Sequence, residues 1–125
     1  LGSGERFVSP VSAKATTWLL SRMRTVENIL HALTADSAAM PESRALALPA
    51  LRCEMADLVK AILNHAGQNE DLISYAPDDP VERIFGSYPP LITNKARALG
   101  FCDDGDLETL VRNVFADIEI QKAEQ

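Results

Sequence analysis

The sequence has little of the side-chain chemistry that marks metal sites and nucleophilic catalysis. Its 125 residues contain two cysteines and two histidines. Cys53 and Cys102 lie far apart and share no spacing with His31 or His65, whereas Cys/His metal sites place their ligands in short, regular pairs. The sequence therefore predicts no metal site. It favours reduced thiols, and a single disulfide between the two cysteines stays open as the alternative.

Long apolar runs and an excess of positive charge are also missing. No run approaches the roughly 20 apolar residues that span a bilayer, and the N-terminus lacks the charged-then-apolar order of a secretion signal. The formal net charge of −6 argues against nucleic acid and anionic membranes as partners. With 46% hydrophobic and 24% charged residues, the composition is that of a globular domain. We expect a cytoplasmic protein with no nucleic-acid or membrane partner.

The motifs of a self-sufficient nucleotide-dependent enzyme are absent too. Segment 2–7 begins like a dinucleotide-binding fingerprint, but Phe7 stands where the third glycine belongs, and no strand precedes it. A tyrosine followed four residues later by lysine does not occur, because Tyr75 and Tyr88 are followed at that spacing by aspartate and isoleucine. The sequence therefore predicts no catalytic and no cofactor-binding residue within this chain.

Short apolar segments bounded by breakers or polar loops predict a few strands. Pro10 closes the first of them, which suits an edge strand. Alanine is a poor strand former, yet the apolar run before Pro49 reads as a short buried strand. The predicted strands are residues 6–11, 17–20, 45–48 and 71–76.

Apolar residues that recur at spacings of three and four predict two amphipathic helices. The inward stripe predicted for the first helix is Met23, Val26, Ile29, Leu30 and Leu33. The polar residues predicted to lie off that stripe are Glu27, Asn28 and His31. The inward stripe predicted for the second helix is Met55, Leu58, Val59, Ile62, Leu63 and Ala66. Gly67 is the expected left-handed stop of this second helix.

Three further helices follow from capping signals. Asp79 before Pro80 predicts the start of a short helix, and Thr93 predicts another over residues 94–99. Asp104 or Asp106 caps the last, whose inward residues are Leu107, Leu110, Val111, Val114, Phe115 and Ile118. Few strands separated by helices, with an all-helical end, predict an α-rich α/β fold. Three or four short strands are too few for the sheet core of a complete doubly wound domain.

Few side chains are candidates for ligand contact. Arg83 offers a planar donor fork that suits a carboxylate or phosphate, and its alternative is a surface ion pair with Asp79 or Glu82. Trp18, the one tryptophan, is either a sugar platform or a packing residue. Ser21, taken by its position alone, is a helix cap.

Several segments resemble one enzyme family: the extended short-chain dehydrogenases/reductases, and within them the NAD-dependent epimerase/dehydratase group. The most similar subgroup is the sugar-acid dehydrogenases of the D-erythronate dehydrogenase type. The segments that carry the resemblance are Trp18-Leu-Leu-Ser21, Val26-Glu-Asn28-Ile-Leu-His31-Ala32, Leu46-Ala-Leu48-Pro49, Pro77-Asp78-Asp79-Pro80, Arg83-Ile84, Gly86-Ser87-Tyr88-Pro89 and Lys95-Ala96-Arg97-Ala98-Leu99-Gly100-Phe101. The resemblance covers residues 5–118. One departure is Arg22-Met23, where many relatives have two aspartates.

The resemblance implies the incomplete, C-terminal portion of a Rossmann-type enzyme with its small helical substrate-binding lobe. Residues 1–52 would be a late strand-helix-strand part of the nucleotide-binding half, and residues 53–125 the substrate-binding lobe. The family's NAD loop and Tyr/Lys pair would lie upstream, so NAD(P) belongs to the full enzyme and to no residue here. By position, Arg83 would bind the substrate's anionic group, and Trp18 and Ser21 would line the cleft for a sugar or sugar acid.

Two other functions stay open. The chain is either this substrate-binding portion, inactive alone, or a separate α-rich interaction module that binds a protein partner or itself. Exposed strand edges would support self-association into a homo-oligomer. The third alternative is a small-anion binder that uses Arg83 without catalysis.

Overall fold

The computed structural model describes residues 3–123 and confirms an α/β fold rich in helix. Its strands are β1 (Phe7–Ser9), β2 (Thr16–Leu19), β3 (Leu51–Glu54) and β4 (Ile73–Tyr75). Its helices are α1 (Arg22–Thr34), α2 (Met55–Ala66), α3 (Asp79–Phe85), α4 (Asn94–Ala98) and α5 (Leu107–Ala123). A 3-10 turn over Glu70–Leu72 leads into β4. Among residues 3–123, no helix combines the length and apolar character needed to cross a bilayer.

The strands form two small sheets. β1 pairs with β4 in parallel, with Phe7 opposite Ile73 and Ser9 opposite Tyr75, and β2 pairs with β3. The strand predicted over residues 45–48 is wrong, because that segment is irregular and β3 begins three residues after it. Alanine is a weak strand former, and the buried Pro49 has no N–H to donate to a ladder.

The chain divides into two compact units that are interleaved in sequence. The first unit contains Leu1–Leu19 and Arg52–Pro90, and the second contains Leu20–Leu51 and Leu91–Gln125. The boundaries of these two units differ from the predicted division of the chain at residue 52. That division concerned a nucleotide-binding half and a substrate-binding lobe, and it stays a prediction.

α2 supplies much of the core of the first unit. Val59 and Leu63 are buried, and the other residues of the predicted stripe are at least half-buried, so the predicted orientation of α2 is confirmed. Gly67 ends the helix at φ 63°, in the left-handed region where glycine is favoured. Glu54 stands at the N-cap and makes no side-chain capping bond.

α1 belongs to the second unit and has the opposite orientation from the predicted one. All five residues of its apolar stripe are at least 40% exposed. Its buried residue is Asn28, whose side chain donates to the Cys102 carbonyl at 2.8 Å and accepts from the Cys102 N–H at 3.1 Å. His31 meets the Leu99 carbonyl at 2.7 Å. Hydrogen bonds therefore fix the polar face of α1 inward, although its apolar periodicity predicts the reverse.

Capping details refine two other predictions. Asp78, rather than Asp79, is the N-cap of α3 and accepts the Val81 N–H at 3.2 Å. At α5, Asp106 accepts the Thr109 N–H at 2.7 Å. Asp104 serves a different purpose, because it is buried and accepts hydrogen bonds from Ser21 and Asn113.

Candidate functional site

The candidate site of the first unit is a corner formed by β2 and the segment Ser87-Tyr88-Pro89, which follows α3 and runs along β2. The Thr16 N–H donates to the Gly86 carbonyl at 2.8 Å, and the Tyr88 N–H donates to the Thr16 carbonyl at 3.2 Å. Gly86 is required here, because a Cβ would lie 2.7 Å from the Glu82 carbonyl oxygen. Backbone bonds thus hold the Ser87-Tyr88-Pro89 segment rigidly against β2.

An aromatic pair lies on this corner. The rings of Trp18 and Tyr88 have centroids 4.9 Å apart at an interplanar angle of 57°. The indole N–H of Trp18 donates to the Pro89 carbonyl at 2.7 Å, which fixes the orientation of the ring. Both residues are half-buried, so each ring presents part of its surface to solvent. Aromatic rings oriented in this way provide the apolar face that the C–H groups of a sugar ring or chain can contact.

Arg52 extends the corner with a cation that sequence reasoning missed. It lies on β3, is exposed, and donates its Nε–H to the Tyr88 carbonyl at 2.9 Å. Trp18 and Arg52 therefore bind the carbonyls of consecutive residues. A strand predicted over residues 51–54 rather than 45–48 would have placed Arg52 on the outward face, between the more buried Leu51 and Cys53. This alternation is the sequence signal that could have identified Arg52.

Arg83, the predicted anion-binding residue, lies on α3 in this same unit. It is exposed, and within residues 3–123 it makes no hydrogen bond or ion pair. One of the proposed surface partners, Glu82, binds the Ser12 N–H at 2.7 Å and the Ser12 hydroxyl at 2.6 Å. The guanidinium of Arg83 is therefore available to a ligand. The substrate-binding role of Arg83 stays a prediction.

Ser21 belongs to the second unit, whereas Trp18 and Arg83 belong to the first. It is buried, and its hydroxyl donates to Asp104 at 2.6 Å while accepting the Arg24 N–H as the N-cap of α1. Asn113 donates to the same carboxylate at 2.7 Å. The hydroxyl proton of Ser21 is thus committed to a structural network, and its predicted substrate contact is untested.

Two titratable side chains of the first unit have raised pKa values. Burial, followed by the charge of Glu70, raises the pKa of the Tyr75 hydroxyl. Burial and then Asp57 raise the pKa of the Cys53 thiol. Both cysteines are free thiols. Across the described residues, no three His, Cys, Asp or Glu side chains converge as a metal site.

A concave feature of the first unit is almost wholly apolar. It is an open groove of about 390 Å³ whose walls include Phe7, Leu58, Ile62 and Phe85. The lining hydroxyl of Ser9 already donates to the Val11 carbonyl at 2.8 Å. Since Ser9 and Thr17 are, among the described residues, the only polar ones that line the groove, and its remaining walls are apolar, the Trp18–Tyr88 corner is the better candidate for recognition of a sugar.

The fold is similar to part of several larger enzymes. The nucleoside-diphosphate-sugar epimerase from Agrobacterium tumefaciens matches with a TM-score of 0.76 and 24% identity over 88% of this chain and 33% of its own. A partial consensus L-threonine 3-dehydrogenase matches with a TM-score of 0.76 and 18% identity over 95% and 39%. The apo GalE-like L-threonine dehydrogenase from Cupriavidus necator gives 0.74 and 18% over 93% and 41%.

These similarities establish the fold and no more, because the identities lie between 18% and 24%. No family model matches the sequence, and no curated protein matches it. The chain spans 33–41% of the length of the three structures. The α/β fold of this chain is therefore that of a portion of epimerase- and dehydrogenase-type enzymes.

Proposed function

We propose that this chain is the substrate-binding portion of an NAD(P)-dependent dehydrogenase or epimerase that acts on a sugar or sugar acid. The full enzyme would be cytoplasmic and of the D-erythronate dehydrogenase type, with hydride transfer to the nicotinamide and a tyrosine as base. The NAD loop and the Tyr/Lys pair would come from another part of that enzyme. The chain alone would be inactive.

The observation that carries this proposal is the match of nearly the whole chain to one portion of epimerase and dehydrogenase structures. The absence of a glycine-rich loop and of a Tyr-x-x-x-Lys motif from the sequence fits a portion that binds substrate and leaves the chemistry to the rest of the enzyme. The Trp18–Tyr88 corner offers the apolar face, and Arg83 offers an unpaired cation in the same unit.

Titration calorimetry with NAD and NADP tests the division of labour. We expect no heat of binding from either nucleotide and no reduction of NAD in the presence of D-erythronate. Micromolar binding of NAD to the chain would overturn the proposal, because it would require a nucleotide site that the sequence does not encode.

Substrate recognition can be followed separately, because Trp18 is the one tryptophan of the chain and lies on the proposed site. Titration with D-erythronate is expected to change its fluorescence, and Arg83→Ala is expected to weaken that titration about tenfold by removing a charged hydrogen-bond donor. Arg112→Ala, which removes an exposed arginine of the other unit, is the matched control. If Arg83→Ala binds as the unaltered protein does, the anion-binding role of Arg83 is dismissed.

The exposed stripe of α1 favours a second candidate function, a module that self-associates. Its five side chains expose on the order of 500 Å² of apolar surface, near the upper range for a monomer. Two arginines of the same helix are held in ion pairs, Arg22 with Asp117 and Arg24 with Glu27. Two copies meeting through it would bury on the order of 1,000 Å², the lower limit for a specific interface.

Sedimentation over a range of protein concentrations tests this second candidate. We expect a dimer at high concentration that Leu33→Glu dissociates, and Thr34→Glu, beside it at the end of the same helix, serves as the charge-matched control. Self-association through the free edges of the two-stranded sheets is the other route, and Leu33→Glu would not affect it. A monomer at every concentration would overturn both routes.

A further inference from the structure

Arg52 is anchored in a way that leaves most of its hydrogen-bonding capacity open. Its Nε–H is used by the Tyr88 carbonyl at 2.9 Å. An arginine carries five N–H donors, and the four on Nη1 and Nη2 form the outer end of its fork. Within residues 3–123 the structure shows no ion pair of Arg52 and no bond of either Nη. The side chain is thus held at one edge and open at the other.

The anchor also ties the guanidinium to the backbone of a residue of the aromatic pair. The carbonyl that holds Arg52 belongs to Tyr88, whose ring lies 4.9 Å from that of Trp18. The same carbonyl accepts the Thr16 hydroxyl at 3.0 Å, so its position is fixed from two sides. A preorganised fork loses less conformational entropy when it binds a ligand than a freely moving side chain does.

We propose that Arg52 is a specificity-determining residue that binds the carboxylate of a sugar acid, while the carbon chain of the ligand lies against Trp18 and Tyr88. The outer Nη1/Nη2 end matches the two oxygens of a carboxylate in a bidentate pair. This inference rests on the proposed function and deepens it, because it assigns recognition of the acid group of the substrate to a named residue.

The charges of the protein bear on the proposed preference for a sugar acid over a neutral sugar. The whole chain has a formal net charge of −6, so the protein as a body repels anions. Glu54, two residues further on the same face of β3, is exposed and forms no ion pair with Arg52 in the described part of the chain. A preference for an acid over its neutral counterpart therefore has no general electrostatic source, and it must come from a placed cation.

The experiment compares D-erythronate with erythritol, its neutral four-carbon counterpart, using the fluorescence of Trp18 on the full chain. The unaltered protein is expected to bind erythronate about 100-fold more tightly than erythritol, with about tenfold coming from each of the two charged donors, Arg52 and Arg83. Arg52→Ala is expected to lower that ratio about tenfold and leave erythritol binding unchanged. Arg52→Lys, which keeps the charge and loses the fork, should retain part of it.

Each outcome separates the two levels of the proposal. Unchanged erythritol binding in Arg52→Ala shows that the Trp18–Tyr88 corner is intact, so a lost preference cannot be a folding defect. Arg112→Ala is the matched control and should keep the ratio. If erythritol and erythronate bind and Arg52→Ala keeps their ratio, this inference is overturned and the proposed function stands. If neither ligand binds the unaltered protein, both are overturned.

Discussion

Helices α1 and α2 show the same apolar periodicity, yet they use it in opposite ways. α2 packs its stripe into the first unit, where Leu63 is 2% exposed. α1 leaves its stripe in solvent, where Leu33 is 78% exposed, and buries Asn28 instead. The two helices have nearly equal lengths, 13 and 12 residues, so size does not account for the difference.

The difference teaches that periodicity identifies a face and does not identify what that face contacts. α1 is held by its polar side through Asn28, His31 and Ser21, each bonded to the segment 99–104. Satisfied hydrogen bonds can therefore set the orientation of a helix even while apolar surface stays exposed. An exposed apolar stripe of this kind is the surface to examine for the self-association proposed above.

The strongest test of the comparison is a pair of identical substitutions. Leu63→Ala is expected to lower the free energy of unfolding by about 2–5 kcal/mol, because it opens a cavity in the core. Leu33→Ala is expected to cost about 0.5 kcal/mol or less, as an exposed substitution does. Urea unfolding followed by circular dichroism measures both. Equal losses would contradict the stated orientations, and a loss for Leu33→Ala that grows with protein concentration would indicate self-association.

A second pair of substitutions compares the two faces of α1 itself. Asn28→Ala is expected to cost about 2 kcal/mol, because the N–H and carbonyl of Cys102 lose the buried side chain that pairs with both of them. Ile29→Ala, one residue further on the exposed face, should change the free energy of unfolding by about 0.5 kcal/mol or less. The same urea titrations measure both variants. If Ile29→Ala lowers the free energy of unfolding more than Asn28→Ala does, the apolar face of α1 is buried, as its periodicity predicts.

The N-termini of the two helices differ as well, and this gives a prediction of opposite signs. Ser21→Ala should cost about 1–2 kcal/mol, because Ser21 caps α1. Glu54→Ser should stabilise α2 by about 0.5–1 kcal/mol, because Glu54 makes no capping bond. Thermal unfolding measures both shifts. A destabilised Glu54→Ser variant would show that Glu54 has a role beyond the N-cap.

The smallest expected effect is on the free energy of unfolding at acidic pH. A hydrogen bond from Arg22 on α1, together with its charge, lowers the pKa of the Asp117 carboxyl on α5. A carboxyl with a lowered folded-state pKa stabilises the protein above its unfolded pKa, and that contribution is lost as the pH falls through the folded pKa. Unfolding free energies measured between about pH 5 and pH 2 should therefore fall less steeply in Arg22→Gln than in the unaltered protein. Parallel curves would exclude this contribution.

Local features of the fold were accessible from the sequence because local physics decides them. The periodicity of α2, its stop at Gly67 and the capping role of Ser21 all follow from neighbouring residues. The strand at 51–54 did not follow, because its partner β2 lies more than thirty residues earlier in the chain. A short apolar run carries no record of whether a distant strand will accept it.

The candidate site shows the same limit. Trp18 and Arg83 could be selected by residue type, whereas Arg52 could not, because its importance arises from a carbonyl at Tyr88. Contacts between residues 18, 52 and 88 join three distant parts of the sequence. Only the folded chain brings them together. The alternation of β3 indicates that Arg52 faces outward, but composition and spacing contain no signal for the pair of rings or for the carbonyl that holds Arg52.

The interleaving of the two units has a consequence for how the protein comes to be folded. β1 is synthesised before its parallel partner β4, which emerges only after all of α1, β3 and α2. Long-range parallel pairing of this kind is slow, because the intervening loop must close before any contact forms. The first unit can therefore be neither completed early during translation nor expressed as one continuous fragment. During that interval the growing chain carries an unpaired strand together with the apolar stripe of α1, and it is then most in need of a chaperone.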